Sequence, residues 1–154
     1  MLRFVSYNIV FQEVPEEVTL AINLSNCPNR CKGCHSPHLQ EDIGEQLDNN
    51  VLAVLLEKYG DAITCICFMG GDISPQEVEQ CAVFVRDRTN GRIKIAWYSG
   101  KNRFPQKCSL HHFDYVKLGA YKELLGGLRS ATTNQRFYRI ENGEMIDITE
   151  HFWH

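Results

Sequence analysis

The order of apolar and polar positions along the 154-residue chain predicts strands interleaved with helices. Val18 to Leu24 (VTLAINL) is a β-branched apolar run, the pattern of a buried strand. Asn49 to Tyr59 (NNVLAVLLEKY) repeats its apolar positions at helical spacing and is expected to stop before Gly60. Ile63 to Phe68 (ITCICF) predicts a second buried strand, closed by Met69-Gly70-Gly71-Asp72. Ser74-Pro75-Gln76-Glu77 then combines a capping box with Pro at the first helical position. Behind it Val78, Cys81, Ala82 and Val85 share one helical face. Arg92 to Tyr98 predicts a third strand ended by Ser99-Gly100, and Phe113 to Leu118 a fourth ended by Gly119. Arg136 to Ile140 and Met145 to Ile148 flank Asn142-Gly143, the dipeptide of a tight hairpin.

Strands alternating with helices predict an α/β fold with a mainly parallel sheet, formed by residues 1–154 as a single domain. In such sheets ligands gather beyond the carboxyl ends of the strands. The cysteine-rich segment after Leu24, the Gly70-Gly71-Asp72 turn, Ser99-Gly100 and Gly119 each follow a strand. They are therefore expected at one edge of the sheet.

Composition narrows the classes. Hydrophobic residues make up 44% and charged residues 23%, the balance of a folded globule. A net charge of −3 gives no footprint for nucleic acid. No apolar run reaches the roughly 20 residues that span a bilayer, and the N-terminus lacks the apolar core and small-residue cleavage site of a signal peptide. A cytoplasmic location is expected, where clustered thiols bind metal or do chemistry more often than they pair.

Three of the seven cysteines, Cys27, Cys31 and Cys34, fall within "NLSNCPNRCKGCHSPHLQ". Structural zinc prefers four ligands in two separated pairs, and here there is one triplet with only His35 or His38 to complete it. A thioredoxin-type pair at Cys31 and Cys34 leaves Cys27 unexplained. An iron–sulfur cluster fits the triplet better, since three thiolates on a [4Fe–4S] cube leave one iron open to a small molecule.

The Cys27-x-x-x-Cys31-x-x-Cys34 spacing resembles that of the radical S-adenosylmethionine (SAM) enzymes. In that family the open iron chelates SAM, and an electron from the cluster cleaves its sulfonium to give a 5′-deoxyadenosyl radical. The resemblance implies a truncated β/α barrel. Gly70-Gly71-Asp72 is similar to the family's Gly-Gly-Glu turn, with Asp in place of Glu. "NCPNRCKGCHSP" and "GGLRSATTNQRFYRI" resemble, more narrowly, the activating proteins of anaerobic (class III) ribonucleoside-triphosphate reductases. That resemblance runs from about Gln12 to Ile140. It implies a large glycyl-radical protein as partner, an electron donor such as flavodoxin or ferredoxin, and life without oxygen. Metal ligation would fall to Cys27, Cys31 and Cys34, and contacts to SAM to Gly70, Gly71, Asp72, Ser99 and Lys101.

Other residues have plainer readings. Cys65, Cys67 and Cys81 read as small buried apolar residues, with Cys65 and Cys67 on one face of a strand. Trp97 reads as core. Cys108 with His111 and His112 is either a second metal site or a solvated loop. Asn134, Gln135 and Arg136 read equally as ligand or partner contacts and as turn and strand residues. Two functional alternatives stand beside the activase: a radical SAM enzyme of a small molecule, as in modified-nucleoside biosynthesis, and a non-catalytic zinc module.

Overall fold

The computed structural model describes residues 1–25, 27 and 41–153. In chain order they form β1 (Arg3–Val10), β2 (Thr19–Leu24), β3 (Glu45–Gln46), α1 (Asn49–Tyr59), β4 (Cys65–Met69), α2 (Pro75–Thr89), β5 (Lys94–Tyr98), β6 (Tyr115–Leu118), β7 (Arg136–Glu141) and β8 (Glu144–Asp147). All eight strands join one sheet in the order β3-β1-β2-β4-β5-β6-β7-β8. The expected α/β class is present, but the sheet is mixed rather than mainly parallel. Three pairings, β2–β4, β4–β5 and β5–β6, are parallel, and the four flanking ones are antiparallel. For two of these four the cause is local connection. β1 reaches β2, and β7 reaches β8, through turns too short for the crossover that parallel pairing requires.

Alternation along the central strands divides the core into two layers. Ile66 and Phe68 of β4, Ile95 and Trp97 of β5, and Val116 and Leu118 of β6 pack with both helices on one face. Cys65, Cys67, Ala96, Tyr115 and Phe137 form the other, where Val14, Leu128 and Ile148 cover them. Fully buried side chains such as Phe68 and Trp97 each contribute about 2–3 kcal/mol of transfer free energy.

α1 spans the expected residues, started by Asp48, whose Oδ1 accepts the Val51 amide at 2.9 Å. Gly60 follows it at φ −56°, a right-handed conformation, so the helix does not end on the left-handed glycine that its sequence signals. α2 has Pro75 at its start, yet Ser74 gives no side-chain cap to an amide. Glu77 is engaged with the Ser74 hydroxyl and the Met1 amino group instead, and these hold its carboxyl below the usual range. The β7–β8 hairpin turns as expected, with Asn142 at φ 52° and Gly143 at φ 76°, the two positive values of a type I′ turn.

Candidate functional site

The parallel strands β2, β4, β5 and β6 present their carboxyl ends at one edge, which gathers the segments expected there. Gly70 N donates to Tyr98 O (2.9 Å), Ser99 N to Lys117 O (2.9 Å), and Gly119 N to Lys101 O (2.7 Å), so each strand end is stitched to its neighbour.

Beyond β2, Ser25 is buried, its amide on Arg3 O at 3.0 Å and its hydroxyl on Ile43 O at 2.5 Å. The cysteine segment is thus tied at its base. Cys27 is half-buried there. Cys31 and Cys34, with His35 and His38, lie outside the described residues.

Asp72 is the hub of the next two turns. It is buried, with Oδ1 accepting from Ser99 Oγ at 2.5 Å and Oδ2 from Gly100 N at 2.8 Å. Ser99 Oγ in turn accepts from Lys101 N at 3.1 Å. Ser99 is fully buried and Lys101 exposed. Gly70 and Gly71 have φ +107° and +91°, where a side chain is strained. A Cβ on Gly71 would stand 2.5 Å from Val78 Cγ2, and one on Gly70 3.4 Å from Leu24 O. Backbone conformation alone accounts for Gly70, and conformation together with packing onto the helical layer accounts for Gly71; the Gly70 carbonyl is held by Trp97 Nε1 at 2.7 Å.

Sequence reading passed over Lys117. It is the single charge in a four-residue strand buried throughout (YVKL), and that incongruity was the available signal. Its Nζ donates to Ser99 O (2.9 Å) and Gly119 O (3.0 Å) and lies 5.6 Å from the Tyr98 ring centroid. These bonds link the Asp72 hub to a cavity of about 530 Å³ on the face away from the helices. Tyr98, Lys117, Tyr121, Arg129, Gln135 and Phe152 are among the side chains lining it. Gly70, Gly71, Asp72, Ser99 and Lys101 do not line it; Ser99, and Asp72 behind it, are joined to it through Lys117.

Below the cavity Cys67 Sγ meets Met69 Sδ at 3.4 Å, and Tyr98 donates its hydroxyl to the Glu13 carbonyl. Burial pushes the Cys67 thiol and the Tyr98 phenol well above their ordinary values, so both stay neutral. Cys65 and Cys67 share one face, as expected, and Cys81 is buried in the helical layer.

The Asn134-Gln135-Arg136 run separates by role. Gln135 is buried, lines the cavity and directs Nε2 to Gly119 O at 3.4 Å. Asn134 Nδ2 holds Ala120 O at 3.0 Å, while its buried Oδ1 has no hydrogen-bond partner among the described residues. Arg136 turns to Asp147 at 3.6 Å and to the Trp153 ring. Near Cys108, His111 is exposed and its ring covers Gly143. Among the described residues no three His, Cys, Asp or Glu side chains converge as a metal site, and no helix is long and apolar enough to cross a membrane.

The chain matches no family model, no curated protein and no solved structure.

Proposed function

We propose that the chain is a radical SAM enzyme with a truncated β/α barrel, and that it installs a glycyl radical on an anaerobic ribonucleoside-triphosphate reductase in an oxygen-free cytoplasm. The observation that carries the reading is the convergence of four parallel strand ends, one leading into the cysteine triplet, beside a cavity with a buried cation. A volume of about 530 Å³ suits a ligand the size of SAM. The donor set fits as well: Cys27 is half-buried at the edge, with Cys31 and Cys34 following in sequence.

A [4Fe–4S] cluster would be held by Cys27, Cys31 and Cys34, and would supply one-electron reducing chemistry to a ligand at its open iron. The chain's own residues bind, orient and exclude water. Lys117, held by the Ser99 and Gly119 carbonyls, sets a positive charge in the cavity wall that would attract an anionic group of the ligand. Asp72, through Ser99, fixes the carbonyl that aims Lys117. Tyr98, Phe152 and Leu128 give the cavity apolar wall surface.

The test is anaerobic iron–sulfur reconstitution, reduction with dithionite, and assay of 5′-deoxyadenosine formed from SAM, with and without the reductase. Deoxyadenosine with a glycyl doublet by electron paramagnetic resonance upholds the reading. Deoxyadenosine without a partner radical returns the substrate to a small molecule. A colourless protein holding zinc overturns it.

A further inference from the structure

Two of the segments that follow parallel strands are basic in sequence although the chain is acidic. Residues 25–40, which follow β2, and 99–113, which follow β5, hold five of the sixteen Lys and Arg and none of the nineteen Asp and Glu. The rest of the chain, with eleven basic and nineteen acidic residues, is net −8. Such segregation sets up a field that a whole-chain charge of −3 conceals.

In the segment after β5, Lys101, Arg103 and Lys107 are exposed, and none pairs with a carboxylate among the described residues. Acidic side chains do meet this segment, but at its backbone: Asp72 takes the Gly100 amide at 2.8 Å and Glu79 the Ser109 amide at 2.5 Å. The backbone carrying the cations is pinned. Phe104 packs against Trp97 and Phe113 at 5.9 and 5.8 Å between ring centroids, Cys108 N donates to Pro105 O at 3.2 Å, and Lys101 O accepts Gly119 N at 2.7 Å. No large exposed apolar side chain interrupts residues 99–113; the most exposed ones, Leu124 and Phe11, belong to other segments.

We propose that Lys101, Arg103 and Lys107 form the landing surface of a strongly acidic one-electron carrier protein. The proposal rests on the radical SAM reading, which requires an external electron. A redox encounter is brief, buries less than about 1,200 Å² and draws its speed from long-range charge rather than apolar contact. Exposed cations that pair with no carboxylate among the described residues, on a fixed backbone, meet that need. A permanent polypeptide partner wants an apolar centre, which this surface lacks. β5 stands two strand spacings, about 10 Å, from β2, whose end leads into the cysteine segment. One electron passes per encounter: the carrier is oxidised by one, the cluster is reduced by one, and no bond to the loop changes.

The experiment follows reduction of the reconstituted full chain by reduced flavodoxin in a stopped-flow instrument, at low and physiological ionic strength. Arg103→Gln/Lys107→Gln leaves Lys101 in place, because that residue adjoins the Asp72 hub. The second-order rate is expected to fall about threefold to tenfold at low salt and to lose much of its salt dependence. Reduction by dithionite is expected to stay near the wild-type rate. Arg103→Glu/Lys107→Glu lowers the flavodoxin rate further. An unchanged flavodoxin rate in both variants overturns the proposal. So does a variant reduced normally by flavodoxin that no longer engages the glycyl-radical partner, since the surface then belongs to that partner. If reconstitution yields no reducible centre, the radical SAM reading fails separately. Flavodoxin titrated onto the chain at low salt then decides the surface: binding weakened in the double variant upholds it, and absence of binding overturns it.

Discussion

Asp72 and Ser99 are joined by a 2.5 Å hydrogen bond between carboxylate and hydroxyl, and the Gly100 amide completes the clasp at 2.8 Å. The pair ties the turn after β4 to the turn after β5 and, through the Ser99 carbonyl, sets the position of Lys117. A Glu side chain is one methylene longer and cannot occupy this buried clasp without moving a backbone. Asp72→Ala strands the Gly100 amide and the Ser99 hydroxyl, and is expected to cost about 2–4 kcal/mol. Urea unfolding checks this as a lowered midpoint at unchanged slope. Asp72→Glu is expected to lose stability too, which a solvent-facing carboxylate would not.

Lys117→Met keeps the length of the side chain and removes its ammonium. Ser99 O and Gly119 O lose their donor, and the cavity loses its buried cation. The expected outcome is a loss of about 1–3 kcal/mol in stability. SAM affinity, measured by titration calorimetry on the reconstituted chain, is expected to weaken at least tenfold, about 1.4 kcal/mol. Unaltered affinity would show that the ligand lies elsewhere.

Gly71 and Gly91 separate strain from packing. Both have positive φ, at +91° and +75°, but a Cβ on Gly71 would collide with Val78 while one on Gly91 meets nothing within 4 Å. Gly91→Ala is expected to cost about 1 kcal/mol, and Gly71→Ala about 2 kcal/mol more. Equal losses in thermal unfolding would discount the contact with Val78.

These positions also mark how far sequence carries. The bounds of α1 and the Asn142-Gly143 turn were legible because helical periodicity and positive-φ residues act locally. β1 was not. Only Phe4 of Arg3–Val10 is buried, Ser6 and Asn8 are exposed, and its pairing with β2 depends on chain brought together only in the fold. β3 has two exposed residues and no pattern to find. The common edge was legible from turn residues after strands, yet the cavity was not. Its lining comes from Gln12, Arg129 and Phe152, which are far apart in sequence and carry no shared motif. Ser74 shows a local rule overridden, because Glu77 answers to Met1 as well as to its own helix.

The buried thiols give a pH signature. Burial pushes Cys81 up to about 12 and raises Cys65 and Cys67 as well, so all three stay protonated in the folded chain. An unfolded thiol ionises near about 8.5. Above that pH the unfolded state sheds protons that the folded state keeps, and stability falls as pH rises. Thermal unfolding is expected to come earlier at pH 10 than at pH 7.5, with the difference reduced in Cys81→Ala. At pH 8, alkylation of Cys65, Cys67 and Cys81 is expected only in denaturant.

Glu77 works in the opposite direction. The Ser74 hydroxyl first, and the amino terminus after it, hold its carboxyl low, so its contribution is present above the ordinary Glu value and is lost as pH falls through the folded one. Glu77→Gln is expected to unfold less steeply than wild type below about pH 4.3. Parallel acid titrations by circular dichroism check the sign.

The knot at Ser25 has a thermodynamic consequence. Its hydroxyl reaches Ile43 O across eighteen positions of chain, so the ends of the cysteine segment meet through the protein itself. Closing a flexible loop of that length costs about 2.5 kcal/mol in the length-dependent part alone. Here that entropy is already spent when the sheet forms. Chain that leaves the sheet at Ser25 and re-enters it at Ile43 is therefore anchored at both ends by hydrogen bonds of the described residues themselves.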